Sequence, residues 1–463
     1  MSSMSSLTTA LSALYAQRRG LDVTGHNIAN ANTEGYTRQR VDLTANSGPV
    51  TAAVYSRWNG TGQGVDVAGI SRLRDAFLEL RSSQEHSVLG ELTTSEQLLN
   101  RIELGFGEPS DLGLAAQFND FYASWGDVAN NPTDLAARRA MLESAQTLTA
   151  NLRSSSQSLD TLRSDLVGQA RAQIDAVNET AAAIAELNEN IRNNTNSGLS
   201  SVDLMDQRDL LVAKISELIG VTAKPSEGGM VDVFVGGTAI VRGPAAESLQ
   251  LVEDDGPPRS AGVTWAKDGY PAAVSGGSIS ALLKGANYTI DGDGGYLAKL
   301  DTIAASLRNT VNNVHVGGKD LYENPGADFF TGNGAADIAV SASLLADPRL
   351  LAASSAGGGY ADNANALALA ALAGDPDGPD HLYRAMIVEL GVEAQAVSRR
   401  VGIQVDVTGQ VDAARDSQAG VNIDEEMTNM LSYQRAYEAA ARFMTAIDQL
   451  LDTLVNSIGL VGR

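Results

Sequence analysis

The chain has 463 residues, enough for roughly two to four domains, and its 43% hydrophobic but 5% aromatic content makes Leu, Ile, Val and Ala the material of any core. It has no cysteine, which excludes disulfides, thiolate metal sites and cysteine nucleophiles, and its four histidines (His26, His86, His315, His381) lie too far apart for metal-ligand spacing. A net charge of −23 argues against nucleic acid or an anionic membrane as partner. The charge is uneven: residues 1–75 hold seven Arg and five Asp or Glu, a balance of +2, so the remainder carries −25. The spared N-terminal end suits burial against something else, and the acidic remainder a solvated surface.

The N-terminus has no basic region ahead of an apolar core. No run approaches the ~18 apolar residues of a membrane span. The expectation is a soluble protein without a cleaved signal, which leaves open export by a route that reads no cleaved peptide. Met4, Leu7, Leu11, Leu14, Leu21 and Ile28 follow an alternating spacing of three and four, with Arg18 and Gly25 at the skipped positions. This predicts one helix carrying a narrow seam that needs a partner helix. The stretch "GHNIANANTEGYTRQ" (25–39) then places Asn27, Asn30 and Asn32 ahead of Gly35. Asparagine caps exposed backbone groups and tolerates the left-handed conformation, and Gly35 can take positive φ. The stretch therefore reads as a helix terminus and tight turn that sets the angle between a terminal helix and the next unit.

Residues 36–70 read as β-rich, punctuated by Gly60, Gly62 and Gly64. Helical patterns return at 71–105 and 111–129. "NNPTDLAARRAML" reads as a helix start with Pro132 near the first turn. The Ala-, Leu-, Ser- and Gln-rich span 133–195 predicts one or two very long helices, and 203–219 a shorter one. "MVDVFVGGTAIV" alternates around Gly236-Gly237, a two-residue hairpin signal. "GVTWAKDGYPAAV" and "GGSISALL" read as its continuation, so 221–295 is expected to be a separate β-rich insertion. Helices resume at 296–315, loops dominate 326–377, and 380–415 is helical. Finally Met430, Tyr433, Tyr437, Ala440, Met444, Ile447, Leu451, Leu454 and Ile458 form an unbroken three-four seam. Asn422 is placed to cap this helix in a capping box with Glu425. Asp424, Glu425 and Glu426 favour the positive end of its dipole, and Gly459 is its stop.

Chemistry is thin. "DGDGGY" (291–296) begins like a calcium loop, but Gly295, Tyr296 and Thr302 stand where a ligand, the glycine and the bidentate Glu belong. "GGK" (317–319) lacks the spacing of a phosphate loop, and "GGSIS" (276–280) lacks the closing glycine of a nucleophile elbow. Residues 221–295 hold no cluster of His, Asp and Glu. No catalytic, cofactor or metal site is expected, and the chain is read as a non-enzyme. An enzyme hidden in the β insertion and an ordinary cytoplasmic coiled-coil binding module are the competing classes.

"ALYAQRRGLDVTGHNIANANTEGYTRQRV" (13–41) resembles the N-terminal signature of the bacterial flagellar axial proteins of rod, hook and hook–filament junction, and residues 420–459 resemble their C-terminal partner segment. Together these cover about 70 of the 463 residues. "GYTRQR" (35–40), "LDTIAASLRNTVNNVHVGG" (300–318) and "DFF" (328–330) resemble the junction branch of that family. The resemblance implies a mainly α fold with a β-rich insertion, elongated and multidomain, with N- and C-terminal helices paired as a coiled coil. The domains expected are 1–32 with 422–463 (terminal assembly), 33–220 with 296–421 (helical core) and 221–295 (outer, β-rich). The implied function is a structural adaptor joining hook to filament, with a hook or distal rod protein as the alternative. Its expected assembly interface comprises Leu7, Leu11, Leu14, Leu21, Ile28, Asn27, Asn30, Asn32 and Gly35, with Tyr433, Tyr437, Met444, Ile447, Leu451, Leu454 and Ile458. Implied partners are copies of itself in a helical ring, the hook protein, the second junction protein beside the filament, and an export chaperone at the C-terminal region. The implied location is the extracellular flagellum, reached by type III export. Zero cysteines fit passage from a reducing cytoplasm to an oxidising exterior.

Overall fold

A computed structural model describes residues 3–46, 62–254, 256 and 259–457. The first helix, α1 (Ser3–Ala29), leads into an antiparallel ribbon of β1 (Gln39–Ala45) and β2 (Val65–Arg72), paired from Gln39 against Arg72 to Ala45 against Val65. The ribbon folds back along α1. Its far end is tied by the Val65 amide donating to Ser12 Oγ (3.3 Å), its near end by Asn27 Nδ2 donating to the Gln39 carbonyl (2.9 Å).

Three helices follow: α2 (Ala76–Phe106), α3 (Leu114–Asn130) and α4 (Leu135–Asn196). The last is a single helix of 62 residues, about 93 Å long at ~1.5 Å per residue. It contains no proline, and its buried positions recur every three or four residues from Met141 to Ile191. Pro132 was expected near its first turn but lies outside it. Asp134 is the cap, accepting from the Ala136 amide (2.8 Å), and the Pro132 carbonyl instead accepts from Arg138 Nε (2.8 Å).

After α5 (Val202–Ile219) come β3 (Val221–Pro225), β4 (Val231–Val235), β5 (Thr238–Arg242) and β6 (Ala245–Ala246), which form a four-stranded sheet in that order. The hairpin at Gly236-Gly237 is present, with φ of 54° and 90°, a left-handed pair that glycine adopts at no steric cost. A second ribbon pairs β7 (Leu249–Asp254) with β8 (Ser260–Trp265). Both are anchored to α4 by amides. Asn188 donates to the carbonyls of Val231 (2.8 Å) and Gly243 (2.9 Å), and Asn178 exchanges two bonds with the Leu249 backbone. Val233, Ile240, Leu249 and Trp265 share one apolar cluster with Ile174, Val177, Ile184 and Ile191 of α4.

The strand-like reading of "GGSISALL" fails. This stretch is α6 (Gly277–Lys284), continuing into a π-helical turn at Gly285–Ile290. Residues 277–283 are all buried, so no alternation between faces distinguishes strand from helix there. Next are α7 (Tyr296–Val316) and the short strands β9 (Gly318–Lys319), β10 (Phe330–Thr331) and β11 (Ala339–Val340). They are followed by α8 (Ala342–Ala346), β12 (Ser354–Ser355) and α9 (Ala364–Ala371). The chain ends in α10 (Pro379–Ala419), packed on α2, and α11 (Ile423–Ser457), packed on α1. The molecule is mainly α with small sheets, and elongated, as expected. Asp291 of the "DGDGGY" turn is taken up by Arg259 (2.8 Å) and Arg163 (3.1 Å).

The core around α3 is aromatic despite the overall scarcity of rings. Phe121 and Trp125 pack on Phe329 and Phe330 with centroids 5.6–6.1 Å apart, and His315 meets Phe329 edge-on at 5.5 Å. His315 is fully buried and spans two backbones. Nδ1 donates to the Ala327 carbonyl (2.6 Å), and Nε2 accepts from the Ala352 amide (2.9 Å). That arrangement requires the neutral ring. Burial, helped by nearby Arg138, pushes its pKa down to about 4 although the Ala327 bond pulls upward.

Two predictions follow from these packings. The unfolded chain protonates His315 near its ordinary 6.5 and the folded chain only near 4, so its contribution is complete above the first value and lost as pH falls towards the second. The loss is about 3 kcal/mol. Urea unfolding between pH 7 and pH 4 should show it, and His315→Gln should flatten that part of the profile; an unchanged slope refutes the assignment. On α1, a Cβ at Gly20 would lie 2.7 Å from the Tyr433 ring, whereas one at Gly25 meets nothing within 4 Å. Gly25→Ala should therefore stabilise the helix by about 0.5–1 kcal/mol. Gly20→Ala should weaken the α1–α11 pair by about 1–2 kcal/mol despite the same propensity gain. Hydrogen exchange of α1 amides reads both, and equal protection changes would rule out the Tyr433 contact.

Candidate assembly interface and its joint

The two terminal seams are unequal. On α11 the apolar positions described as buried or half-buried are Met430, Tyr433, Ala436, Ala440, Ala441, Met444, Ile447 and Leu451, with Ala440 and Ile447 the buried ones. This matches the spacing expected, except that Tyr437 is 39% exposed. Leu454 lies on the last described turn of α11, while Ile458 and Gly459 lie outside the described residues.

On α1 the seam is rotated by one position. The fully buried residues are Ala10, Ala16, Gly20, Val23, Thr24 and Asn27. Leu7, Leu14, Leu21 and Ile28, expected at the centre of the helix pair, are only half-buried, and Leu11 is 42% exposed. The physical reason is distance of approach. Small residues let α11 and the β1–β2 ribbon come close to the backbone, as the Tyr433 ring does over Gly20. The bulkier leucines are left at the margins. Sequence reading also missed a second apolar set on α11: Ile423, Met427 and Leu431 at four-residue spacing, then Phe443 and Leu450, each about half exposed or more. The i, i+4 repeat outside the main seam was the available signal.

The asparagine stretch is a joint. Asn27 is 1% exposed and uses its whole amide. Nδ2 donates to the Gln39 carbonyl (2.9 Å) and Glu426 Oε2 (3.0 Å), while Oδ1 accepts from Tyr36 Oη (2.8 Å) and the Gln39 amide (3.0 Å). One side chain thus ties α1, the turn, β1 and α11. Glu426 is buried beside it, and its other oxygen is held by Arg38 through Nη2 (2.7 Å) and Nε (2.8 Å). Burial opposes the Arg38 charge, but Glu426 and Glu425 outweigh it and raise its pKa. Burial, with Asp203, Asp206 and Glu426, also raises the Tyr36 phenol, keeping it a donor.

Asn30 closes α1, its Nδ2 donating to the His26 carbonyl (3.0 Å) and its Oδ1 accepting from Thr33 Oγ1 (3.1 Å). Asn32 is exposed. Gly35 takes φ of 77°, as expected, and faces Leu210. None of the three asparagines is left-handed; they act through side chains and ordinary backbone. Asn422 caps α11 through the Asp424 amide (3.0 Å), but the capping box is half-built. Glu425 turns to Arg38 (2.8 Å) rather than back to the cap.

Across the joint, α5 presents Asp203, Asp206 and Asp209 at three-residue spacing. Gln39 Nε2 donates to Asp203 (2.7 Å), the Thr37 amide to Asp206 (3.0 Å), and Arg72 Nη1 to both Asp206 and Asp209 (2.8 Å each). Arg74 and Arg208 also reach Asp209. Burial opposes the Asp209 charge, yet Arg208, Arg72 and Arg74 hold its pKa below the usual carboxylate range. Among the described residues no group of three or more His, Asp or Glu is placed to hold a metal ion, and no helix is long and apolar enough to cross a membrane.

Comparison with known proteins agrees with this architecture. Residues 99–330 match the flagellar hook-associated protein FlgK helical domain, 415–457 the flagellar basal body rod FlgEFG protein C-terminal region, and 7–37 the flagella basal body rod protein family. The flagellar hook-associated protein 1 of Bacillus subtilis (strain 168) is 30% identical over 99% of both chains. That of Escherichia coli (strain K12) is 24% identical over 98% of this chain and all of its own length. A structure titled as the flagellar hook junction protein FlgK from Burkholderia pseudomallei superposes with a TM-score of 0.64 at 17% identity, over 73% of this chain and 99% of its own; it shares the fold. With a helical-domain match over half of the chain and a relative 30% identical along nearly the whole of both chains, the chain belongs to the flagellar hook-associated protein 1 (FlgK) family.

Proposed function

We propose that the chain is a structural adaptor at the hook–filament junction of the bacterial flagellum, and that it assembles with copies of itself through its terminal helices. The observation that carries the assembly reading is the apolar surface left after α1 and α11 have paired. Leu11 (42% exposed) and Tyr15 (63%) on α1, with Met427 (53%), Leu431 (53%) and Leu450 (69%) on α11, are left largely uncovered by the described residues. An elongated pair that exposes apolar residues on more than one face is suited to neighbours on more than one side. Repeated head-to-tail contacts that do not close a ring build a helical tube. In this reading Leu7, Leu14, Leu21 and Ile28 flank the intramolecular contact and complete the contact to the next copy. Tyr437 and Leu451 do the same from α11, and Asn27, Asn30 and Gly35 set the angle.

The adaptor meets the hook protein on one side and the second junction protein on the other. It is exported unfolded, with a chaperone on its C-terminal region, and it acts outside the cell without enzymatic turnover. The three-unit division, with residues 221–295 outermost, fits this role: the terminal helices form the tube and the rest faces outward.

Leu11→Asp and Leu451→Asp should each block filament attachment while the core keeps its circular dichroism and melting. A strain lacking the protein should make hooks without filaments. Normal motility with either aspartate variant sinks the terminal-helix reading, and loss of the hooks themselves in the null strain would point to a rod or hook role instead.

A further inference from the structure

The unit formed by α1, β1–β2 and α11 joins the rest of the molecule by two short chain crossings, Leu73–Asp75 and Gly420–Asn422. The contact around these crossings is mainly polar. Arg72 bridges Asp206 and Asp209, Gln39 reaches Asp203, and the Thr37 amide reaches Asp206. The Arg38 amide adds one backbone bond to the Ala419 carbonyl (2.8 Å), and the apolar share includes Gly35 against Leu210.

Two clefts separate the units. One of about 1320 Å³ lies between the 31–38 turn and the walls of α5 and α10, reaching Lys214 and Asp412. Another of about 580 Å³ lies between α1, at Asp22 and His26, and the start of α5, at Ser200 and Asp203. A contact made by apolar burial resists rotation over its whole area. One made by a few ion pairs with open space beside it loses most of what holds its angle when those pairs are broken.

We infer that the Asp203–Asp206–Asp209 stripe of α5, with Arg72 and Gln39, is an electrostatic latch that holds the terminal helix pair at a fixed tilt, and that its release lets the pair pivot about residues 73–75 and 420–422. Asn27, Arg38 and Glu426 bond one another within the moving unit, so they keep α1 and α11 together as it turns. A single chain can then present its terminal helices at more than one angle without repacking its core.

The chain has no cysteine, so two introduced ones are labelled uniquely. Spin labels at Glu179→Cys on α4 and Ala446→Cys on α11, both exposed, report the angle as a distance distribution in the full chain. In the unaltered chain the distribution should stay narrow from about 20 mM to about 1 M salt, because the Arg72 pairs are in contact and buried, and such pairs are screened little. The Asp206→Asn/Asp209→Asn double variant should widen it about twofold; if that variant loses helicity, Asp203→Asn takes its place. Widening in the variant supports the latch. An unchanged width in the variant, or an unaltered chain already as broad as the variant, overturns it.

Discussion

One buried amide fixes the relation between the two ends of the chain. Asn27 has two donor hydrogens and an oxygen with two lone pairs, and it uses them on four groups from three segments. The rest of the contact between α1 and α11 is apolar and without direction, small residues of α1 and Val23 against Tyr433, Ala440, Met444 and Ile447. A slip by one helical turn moves Asn27 about 5.4 Å along the axis. That leaves a buried amide and a buried Glu426 carboxylate without partners, each unsatisfied group costing about 1–3 kcal/mol or more. Non-directional packing brings the helices together; the amide and the Arg38–Glu426 pair select a single register, the use of buried polar groups best attested in helical bundles.

The same constraint explains why the leucines face outward. With Asn27 turned towards Glu426 and Gln39, helical geometry turns Gly20, Thr24 and Ala16 to the same side. Leu11, Leu14 and Leu21 are displaced by about 100° from that stripe. The terminal pair therefore buries little of its own apolar surface: among the described side chains of α11, Ala440 and Ile447 are the only buried apolar ones. The core is the opposite case, with Phe118, Phe121, Trp125 and Phe329 wholly inside and α4 running through it. Core stability is internal to one chain. The terminal pair has far less apolar burial of its own to hold it.

Long helices were legible because period and length both spoke for them. The span 133–195 had no proline and a steady apolar repeat, and it is one helix. The α11 seam was legible for the same reason, since large side chains there make the contact. On α1 hydropathy weighed the leucines and gave a stripe one residue away from the true one, because closeness of approach is decided by Ala and Gly, which carry little hydropathic signal. The turn at 25–39 could be read as a joint from its asparagines and Gly35. The partner of Asn27 could not, since Glu426 lies 399 residues away and its acidity had a sufficient local explanation at the helix start. Asn178 and Asn188, which fasten strands to α4, look like ordinary surface residues of a polar helix until the sheet is placed on them. Full burial erased the alternation that would have told strand from helix at 277–283.

The uneven charge of the sequence finds a local use. Of the seven arginines in the otherwise spared first 75 residues, Arg38 meets Glu425 and Glu426 of α11, and Arg72 and Arg74 meet Asp206 and Asp209 of α5. The N-terminal excess is thus partly neutralised by acids brought from near residue 206 and from the far end of the chain. These pairings exist only once the chain has folded back on itself, because the partners lie 134 to 388 residues apart. The α5 pairs need only the first 209 residues, whereas the Arg38 pairs need α11, so closure of the joint on α11 requires both ends of the chain together.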